Sequence, residues 1–407
     1  MLTSLAFVFL VGLSMAALCQ KLKMPRIIGM LLTGVVLGPY VLDVLDPSIL
    51  SISAQLRQMA LIIILLKAGL SLNLSDLKRV GRPAVLMSCV PASCEILAFV
   101  LFAPSVLGVT RIEAAVMGAV LGAVSPAVVV PRMVQLMDEG YGTCKSIPQM
   151  ILAGASCDDI FVIVLFSTFV RMAQGGHADW MAFLNIPVSI LLGVAVGAGA
   201  GYLLSLFFET AYAHQHCVRN SMKVIVVLGV AFLLMAIETW LEGIVSVSGL
   251  LAVVSMACVL KIKSIAFVSK RLSEKFGKLW LAAEVLLFVL VGAAVDIRYT
   301  LHAGIAAVLM IVLALLFRSV GVALCLIGTP LHWKERVFCV IAYLPKATVQ
   351  AAIGSVPLAM GLPCGQMVLS VAVLAILITA PLGALGMDLT CKRLLEKAGQ
   401  CEGGLSE

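Results

Sequence analysis

Long apolar segments, each separated from the next by charges or by Gly and Pro, constrain the fold of this chain more than any other feature. They fall at residues 2–20, 26–41, 54–73, 83–105, 111–134, 147–171, 183–207, 220–237, 244–260, 278–296, 302–327, 335–357 and 366–390. Of the 407 residues, 62% are hydrophobic and 12% are charged, which is too little charge to cover a water-soluble domain. Because a helix crosses a bilayer with about 20 apolar residues, the pattern predicts an all-α polytopic membrane protein with about 13 transmembrane helices.

The positions of the 28 Lys and Arg residues predict the topology of these segments. Of the 28, 21 lie after odd-numbered segments or in the C-terminal tail, and four lie after even-numbered segments. Positive charge marks the cytoplasmic side, so we expect the N-terminus outside and the C-terminus in the cytoplasm, in the cell (inner or plasma) membrane. The net charge of +7 therefore reflects topology, and no nucleic-acid partner is predicted. Residues 2–20 lack the basic region of a signal peptide and predict a first membrane helix.

An odd number of spans is compatible with two halves of opposite orientation around one linker span. We expect a first inverted repeat of six helices at 1–174, a linker helix at 175–215, a second inverted repeat at 216–395 and a short cytoplasmic tail at 396–407. The fifth and twelfth segments then correspond, and each contains a mid-span proline, Pro126 and Pro345. Proline removes a backbone donor and pushes the preceding residue out of helical geometry. Two helices broken at equivalent positions indicate the binding site of a transporter, although ordinary kink prolines are the simpler alternative.

Two further patterns carry weaker expectations. Residues 264–277 are amphipathic and basic, which predicts a helix along the membrane surface before the tenth segment. The 12 cysteines contain no C-x-x-C pair, so neither a zinc site nor a disulfide framework is predicted.

Six ionisable residues lie deep within the predicted spans: Glu95, Asp158, Asp159, Glu284, Arg318 and Lys346. Glu284 lies two turns from the basic end of the tenth segment, where it either reaches the interface or serves an inner vestibule, so the other five form the candidate set. Two bases neutralise two of the three acids, which leaves one carboxylate over. Neighbouring residues on a helix diverge by about 100°, so the two aspartates cannot both face one base. We expect one aspartate to be paired and the other to face a cavity; purely structural ion pairs are the alternative.

The remaining carboxylate suggests an exchange site. A carboxylate buried without a partner favours its protonated form, and it is also a hard oxygen ligand for a cation. A site that holds a proton or a cation, but not both, couples the two ions by competition. The Ser125 hydroxyl and the carbonyls freed at the broken helices are the expected further oxygen ligands.

Enzymatic chemistry is not predicted. Adjacent aspartates on one helix cannot flank a scissile bond, and no H-E-x-x-H, G-x-S-x-G or P-loop motif occurs. We therefore expect no cofactor, only transported ions.

Several stretches resemble the monovalent cation/proton antiporters, specifically their NHA-type sodium/proton branch. They are LGAVSPAVVVPRM (121–133), GASCDDI (154–160), YLPKATVQAAIGSVPLA (343–359) and ILITAPLGAL (376–385). The resemblance implies the NhaA-like antiporter fold, in which a dimerisation domain supports a mobile ion-carrying core and two broken helices cross near the midplane. It also implies a homodimer in membrane lipid.

The resemblance also implies roles for individual residues. Asp159 is the expected principal carboxylate for Na⁺ or Li⁺ and H⁺, and Asp158 is its partner. Ser125 and Pro126 fall at the first crossing, and Lys346 and Thr348 at the second. Arg318 stands where many relatives have a lysine, and it resembles the pattern in which this arginine pairs with an acid on the fourth span, here Glu95. Lys346 is then the base expected to hold Asp158.

The predicted function is secondary active Na⁺(Li⁺)/H⁺ antiport by alternating access at the shared aspartate site, with a role in pH homeostasis. Two transport alternatives stay open at this point: K⁺/H⁺ antiport, and Na⁺-coupled symport of an organic solute on a related fold. A membrane scaffold or sensor without transport is the most distant alternative.

Overall fold

The computed structural model describes residues 1–22, 24–71, 81–174, 180–213, 220–241 and 247–397, which are almost entirely helical. In the first half of the chain the helices are α1 Leu2–Lys21, α2 Arg26–Leu37, α3 Pro47–Ser51, α4 Ser53–Ser71, α5 Arg82–Met87, α6 Val90–Leu107, α7 Arg111–Leu121, α8 Pro126–Glu139 and α9 Ile147–Gln174. In the second half they are α10 Trp180–Ala213, α11 Asn220–Trp240, α12 Gly249–Lys263, α13 Ala266–Ala293, α14 Ile297–Cys325, α15 Trp333–Ala342, α16 Thr348–Gly354, α17 Val356–Ala359 and α18 Gly365–Leu394.

The helices have the length and composition of a multi-pass membrane protein. Within the described residues, eight are long and apolar enough to cross a bilayer: Leu2–Lys21, Arg82–Leu107, Ile147–Gln174, Leu191–Glu209, Ser221–Trp240, Val268–Ala293, Gly304–Cys325 and Gly365–Leu394. Shorter apolar helices occupy Arg26–Leu37 and Thr348–Ala359. The all-helical membrane class is therefore confirmed, whereas the total of 13 spans stays a prediction.

Two local features differ from the expectations. The fourth segment is interrupted between α5 and α6, where Ser88 and Cys89 form a turn ahead of Pro91 in the first turn of α6. The basic segment 264–277 is not a separate surface helix, because α13 runs without interruption from Ala266 to Ala293. Its buried residues Leu272, Phe276 and Trp280 recur every four positions, so one continuous apolar face extends into the tenth segment.

The chain divides into two compact units. The first comprises Met1–Ala54, Asn73–Val162 and Phe288–Glu407, and the second comprises Gln55–Leu72 and Ile163–Leu287. The first unit thus draws on both predicted inverted repeats.

Within the first unit, α6 packs against α7 and α14, while α18 contacts α7, α14, α15, α16 and α17. Close approach at these contacts depends on small residues. A Cβ atom on Gly118 of α7 would lie 2.9 Å from Ile96 Cα of α6, and one on Gly321 of α14 would lie 2.9 Å from Pro91 Cα. The three helices therefore pack nearly backbone to backbone.

Both predicted breaks are present in the first unit. The fifth segment consists of α7 and α8, joined by residues 122–125, and α8 starts with Pro126 in its first turn. The twelfth segment consists of α15 and α16, joined by residues 343–347, which include Pro345. The two linkers touch, because the Ser125 N–H donates to the Pro345 carbonyl at 2.8 Å. The two interrupted helices therefore meet at their non-helical segments.

In the second unit, α10 packs along α12 through a row of glycines four residues apart. A Cβ atom on Gly197 would lie 2.1 Å from the Ala252 carbonyl oxygen, and one on Gly201 would lie 2.5 Å from that of Met256. At one end of α12, Glu238 accepts from the Gly249 N–H at 3.1 Å and pairs with Arg171.

The loop between α8 and α9 meets the segment after α18. The Gly142 N–H donates to the Glu396 carbonyl at 2.8 Å, and Tyr141 and Lys397 form an isolated antiparallel bridge. Lys145 Nζ lies 2.9 Å from Glu335 Oε2, next to the start of α15. Loops that follow predicted spans five, eleven and thirteen thus lie together, as their odd numbering requires.

One cysteine departs from the expectation of free thiols. Cys144, in this same loop, is disulfide-bonded. Nine others are free thiols, while Cys217 and Cys401 lie outside the described residues. The sequence pattern missed this bond because disulfide formation depends on the distance and direction between the two cysteines in the fold rather than on their spacing along the chain.

Candidate functional site

The two adjacent aspartates lie in the middle of α9, within the first unit. Asp158 is fully buried and Asp159 is 6% exposed. Apolar residues on either side, such as Ile151 and Val162, are also buried, so the helix is held by packing and can carry both acids. A membrane-buried acid of this kind is costly, which makes the position a candidate functional site.

Arg318 of α14 is the centre of the hydrogen-bond network around Asp158. Its Nη2 donates to Asp158 Oδ2 at 3.0 Å, and its Nη1 donates to Glu95 Oε2 at 2.8 Å. Nη1 also donates to the Gly122 carbonyl, and Nε donates to the Tyr343 carbonyl at 2.6 Å. One planar guanidinium therefore joins two acids to both broken helices. The expected Arg318–Glu95 pair is present.

The expected pairing of Lys346 with Asp158 is wrong. Lys346 Nζ donates to Glu95 Oε2 at 2.6 Å and to the Leu121 carbonyl, whereas the ion pair to Asp158 comes from Arg318. The reason is the shape of the two cations: the guanidinium fork reaches several acceptors at once, whereas an ammonium is a compact point charge. Glu95 lies where the two cations meet and accepts from both.

Asp158 is also held by the first break. Its Oδ2 accepts from the Val124 N–H at 2.9 Å, while its Oδ1 has no hydrogen-bond partner among the described residues. Asp159 forms no ion pair within the described part of the chain, and its buried Oδ1 is likewise without a partner there. Of the two aspartates, Asp158 is ion-paired and hydrogen-bonded, whereas Asp159 forms no ion pair in the described part of the chain.

Ser125 and Thr348 occupy the positions expected from the sequence, at the starts of the second halves of the broken helices. Ser125 is fully buried and precedes Pro126, and its Oγ has no hydrogen-bond partner among the described residues. Thr348 is buried in the first turn of α16. In the part of the chain that the structure describes, no hydrogen bond joins either hydroxyl to an aspartate.

The carbonyls freed at the first break accept hydrogen bonds from side chains of α14, the second break and α16. Leu121 accepts from Lys346 and Gly122 from Arg318. Ala123 accepts from Gln350 Nε2 at 2.7 Å. Each carbonyl oxygen has two lone pairs, so the expectation that freed carbonyls coordinate a cation stays a prediction, although cationic and amide side chains already bond to these three. A buried carbonyl without a donor is costly, which explains the arrangement.

Sequence reasoning missed three residues of this network. Gln350 bridges the two breaks, Thr379 Oγ1 of α18 accepts from the Lys346 N–H at 2.9 Å, and Tyr343 lies under Arg318, whose Cζ is 5.6 Å from the ring centroid. All three fall within the stretches that resemble antiporters, but their roles depend on which side chains the fold brings together. Residue type alone carried no signal.

Two glycines allow close packing around the site. A Cβ atom on Gly154, one turn before Asp158, would lie 2.1 Å from Tyr343 Oη. A Cβ atom on Gly383 of α18 would lie 2.3 Å from Pro345 Cγ. The second break therefore packs directly against α9 and α18.

The charges of the site do not balance when every group is ionised. Glu95, Asp158 and Asp159 carry three negative charges, and Arg318 and Lys346 carry two positive charges. Both cations are engaged with Glu95 or Asp158, so the remaining negative charge belongs to Asp159. Neutralisation by a bound proton or a bound monovalent cation is the simplest way to remove it.

A buried acid beside two touching helix breaks is the arrangement of secondary ion transporters. The family model described as "Sodium/hydrogen exchanger, transmembrane" matches residues 5–392. The chain belongs to the sodium/hydrogen exchanger family. It is thus a multi-pass integral membrane protein of a family of secondary transporters, and the resemblance to cation/proton antiporters is confirmed.

Individual relatives give the same family. The human sodium/hydrogen exchanger 9B2 is 33% identical over 390 residues, which is 92% of this chain and 70% of that protein. The human sodium/hydrogen exchanger 9B1 is 31% identical over 393 residues, which is 92% of this chain and 73% of that protein. The solved structure of the sodium proton antiporter MjNhaP1 from Methanocaldococcus jannaschii at pH 8 matches with a TM-score of 0.82 at 22% identity, covering 97% of this chain and 98% of that one. That similarity confirms the antiporter fold.

Proposed function

We propose that this protein exchanges Na⁺ or Li⁺ for H⁺ across the membrane by alternating access, with Asp159 as the site that both ions share. One observation carries the proposal: Asp159 is a buried carboxylate without an ion pair among the described residues, next to an aspartate that Arg318 and the Val124 N–H hold in place.

Competition at one carboxylate couples the two ions. A cation needs the ionised form of Asp159, and a proton removes that form. Asp158 Oδ1 and Ser125 Oγ are buried oxygens without hydrogen-bond partners in the described structure, so they are the candidate additional ligands. Hard oxygen ligands suit Na⁺ and Li⁺. We keep Thr348 as a further candidate because it starts the second broken half-helix.

The names of the relatives support this choice of ions. Human proteins that align with nearly the whole chain are named sodium/hydrogen exchangers, and the solved structure with the same fold is a sodium proton antiporter. We extend the proposal to a homodimer in the cell membrane, with the N-terminus outside and the C-terminus cytoplasmic. The inverted repeats at 1–174 and 216–395, around a linker helix at 175–215, belong to the same proposal.

Purified protein in sealed proteoliposomes with an internal pH-sensitive dye tests the proposal. Addition of NaCl or LiCl to acid-loaded vesicles should raise the internal pH, and Asp159→Asn should abolish the response. Asp138→Asn is the matched control, because Asp138 is an exposed carboxylate on α8 away from the site. Exchange by Asp159→Asn at the wild-type rate contradicts the assignment of the site.

The same assay, together with a solute-binding measurement, separates the alternatives. A response to KCl equal to that with NaCl indicates K⁺/H⁺ antiport. Solute binding that depends on Na⁺, without obligatory proton movement, indicates a symporter. Absence of any cation-driven pH change in vesicles with correctly folded protein indicates a scaffold or sensor.

A further inference from the structure

The first break exposes backbone groups that must find partners inside the protein. Where α7 ends, the carbonyls of Leu121, Gly122 and Ala123 lose their helical donors, and all three residues are buried. Two of the side chains that satisfy them, Arg318 and Lys346, are cations that also bind acids. The third is Gln350, which is neutral and fully buried.

Gln350 is bonded to both breaks. Its Oε1 accepts from the Ala347 N–H at 2.8 Å, at the point where the second break enters α16. Its Nε2 donates to the Ala123 carbonyl at 2.7 Å and to the Leu121 carbonyl at 3.4 Å, both on the first break. The side-chain amide therefore uses its acceptor on one broken helix and its two donor hydrogens on the other.

One peptide unit connects Gln350 to the aspartates. The Ala123 carbonyl that accepts from Gln350 belongs to the same peptide group as the Val124 N–H that donates to Asp158 at 2.9 Å. The peptide group is planar, so fixing its oxygen also fixes the direction of its N–H. Hydrogen bonds in such a chain also polarise one another, which strengthens the bond to the carboxylate.

We propose that Gln350 is a positioning residue for ion exchange: through the Ala123–Val124 peptide it holds Asp158 in place beside Asp159 and keeps the two breaks in register. Because Gln350 carries no charge, this link is unchanged when Lys346 or the aspartates change protonation or when a cation arrives. Gln350 shares the Leu121 carbonyl with Lys346, so that carbonyl keeps a donor in every charge state of the lysine. The inference rests on the proposed exchange at Asp159.

Two variants separate positioning from general stability. Gln350→Met keeps the length of the side chain but removes both its donor and its acceptor. Gln350→Glu keeps the acceptor for the Ala347 N–H, but its ionised form has no hydrogen to donate to Ala123. Protonation of the glutamate restores one donor, so its defect should shrink as the pH falls. Gln135→Met is the matched control, because Gln135 lies exposed on α8 and bonds only to Glu139 among the described residues.

In proteoliposomes we expect Gln350→Met to raise the apparent KM for Na⁺ by about tenfold, corresponding to about 1.4 kcal/mol, with a smaller change in kcat. The ratio of the KM of Gln350→Glu to that of the wild type should fall toward one as the pH is lowered. The control should match the wild type. A variant that melts at a lower temperature but keeps the wild-type KM and pH profile overturns the inference, because Gln350 is then only structural.

A measurement without transport separates this inference from the proposed function. Hydrogen exchange followed by mass spectrometry should show faster exchange of the Val124 and Ser125 amides in Gln350→Met than in the wild type or in Gln135→Met. Unchanged exchange at these amides overturns the inference even if Na⁺/H⁺ antiport is established. Faster exchange in a protein that moves no protons retains the link between the breaks but overturns its role in ion exchange, and it also contradicts the proposed function.

Discussion

Arg318 holds Asp158 by a buried ion pair, with 3.0 Å between Nη2 and Oδ2 and no solvent exposure of either side chain. The same guanidinium also binds Glu95, which keeps a second ion pair to Lys346, whereas Arg318 is the cation paired with Asp158 among the described residues. A buried charge that loses its partner is strongly destabilising. Asp158 is therefore anchored, which supports the proposal that the adjacent Asp159 is the carboxylate that exchanges its proton or cation.

Removal of Arg318 should destabilise the protein. Arg318→Ala leaves Glu95 with one cation and Asp158 without an ion pair, so we expect the free energy of unfolding to fall by about 3–5 kcal/mol. Thermal unfolding in detergent measures this as a lower melting temperature. Arg111→Ala, at an exposed position at the start of α7, is the control and should melt like the wild type. Equal melting of Arg318→Ala and the wild type contradicts a structural role for the pair.

Na⁺ and H⁺ should compete at Asp159. Where the site is mostly protonated, each fall of one pH unit should raise the apparent KM for Na⁺ by about tenfold, because mass action requires ten times more cation to displace the proton. The rate at saturating Na⁺ should change much less. Initial rates over a grid of Na⁺ concentration and pH give both quantities. An apparent KM independent of pH across the active range points to separate sites for the two ions.

Gly154 should tolerate a methyl group only when the tyrosine hydroxyl is absent. In Gly154→Ala the new Cβ lies 2.1 Å from Tyr343 Oη, and overpacking of this kind costs about 1–3 kcal/mol. Once the hydroxyl is removed, the nearest ring atom is Cζ at 3.4 Å, although Met87 Cβ still lies at 3.1 Å. The double variant Gly154→Ala/Tyr343→Phe should therefore be more stable than Gly154→Ala alone.

Melting temperatures of the four proteins of this double-mutant cycle measure the coupling. Tyr343→Phe alone should cost little, because the buried hydroxyl has no hydrogen-bond partner among the described residues. Additive effects of the two substitutions contradict the predicted contact.

The packing of α10 on α12 should be sensitive to Gly197 and insensitive to Gly199. Gly197→Ala places a Cβ atom 2.1 Å from the Ala252 carbonyl oxygen, so the helices must separate. Gly199 lies on the same helix, but the Cβ atom of Gly199→Ala meets no atom within 4 Å. Alanine also stabilises a helix relative to glycine by about 1 kcal/mol. We expect a lower melting temperature for the first variant and an equal or higher one for the second. The reverse order contradicts this packing.

The sequence predicted the elements of the site better than their connections. Proline chemistry predicted the interruptions at Pro126 and Pro345, because a proline affects the backbone locally. The unequal number of acids and bases indicated that one carboxylate would lack a cation. The partner of Asp158 was predicted incorrectly, because Arg318 and Lys346 are both long cationic side chains in predicted spans, and the sequence does not show which of them lies nearer to Asp158. Gln350 was overlooked for a related reason, since a glutamine in an apolar span is recognisable as a bridge only when its acceptors are known.

The sequence by itself determined the membrane class and the two breaks, because apolar length and proline act locally along the chain; it missed the interruption between α5 and α6 and the continuity of α13. Only the tertiary structure decided which cation holds which acid, which side chains occupy the freed carbonyls and which cysteine is disulfide-bonded. Those choices depend on directions and distances between residues far apart in sequence, such as the 160 positions between Arg318 and Asp158. A guanidinium fork can serve several acceptors only where the fold brings them into its plane.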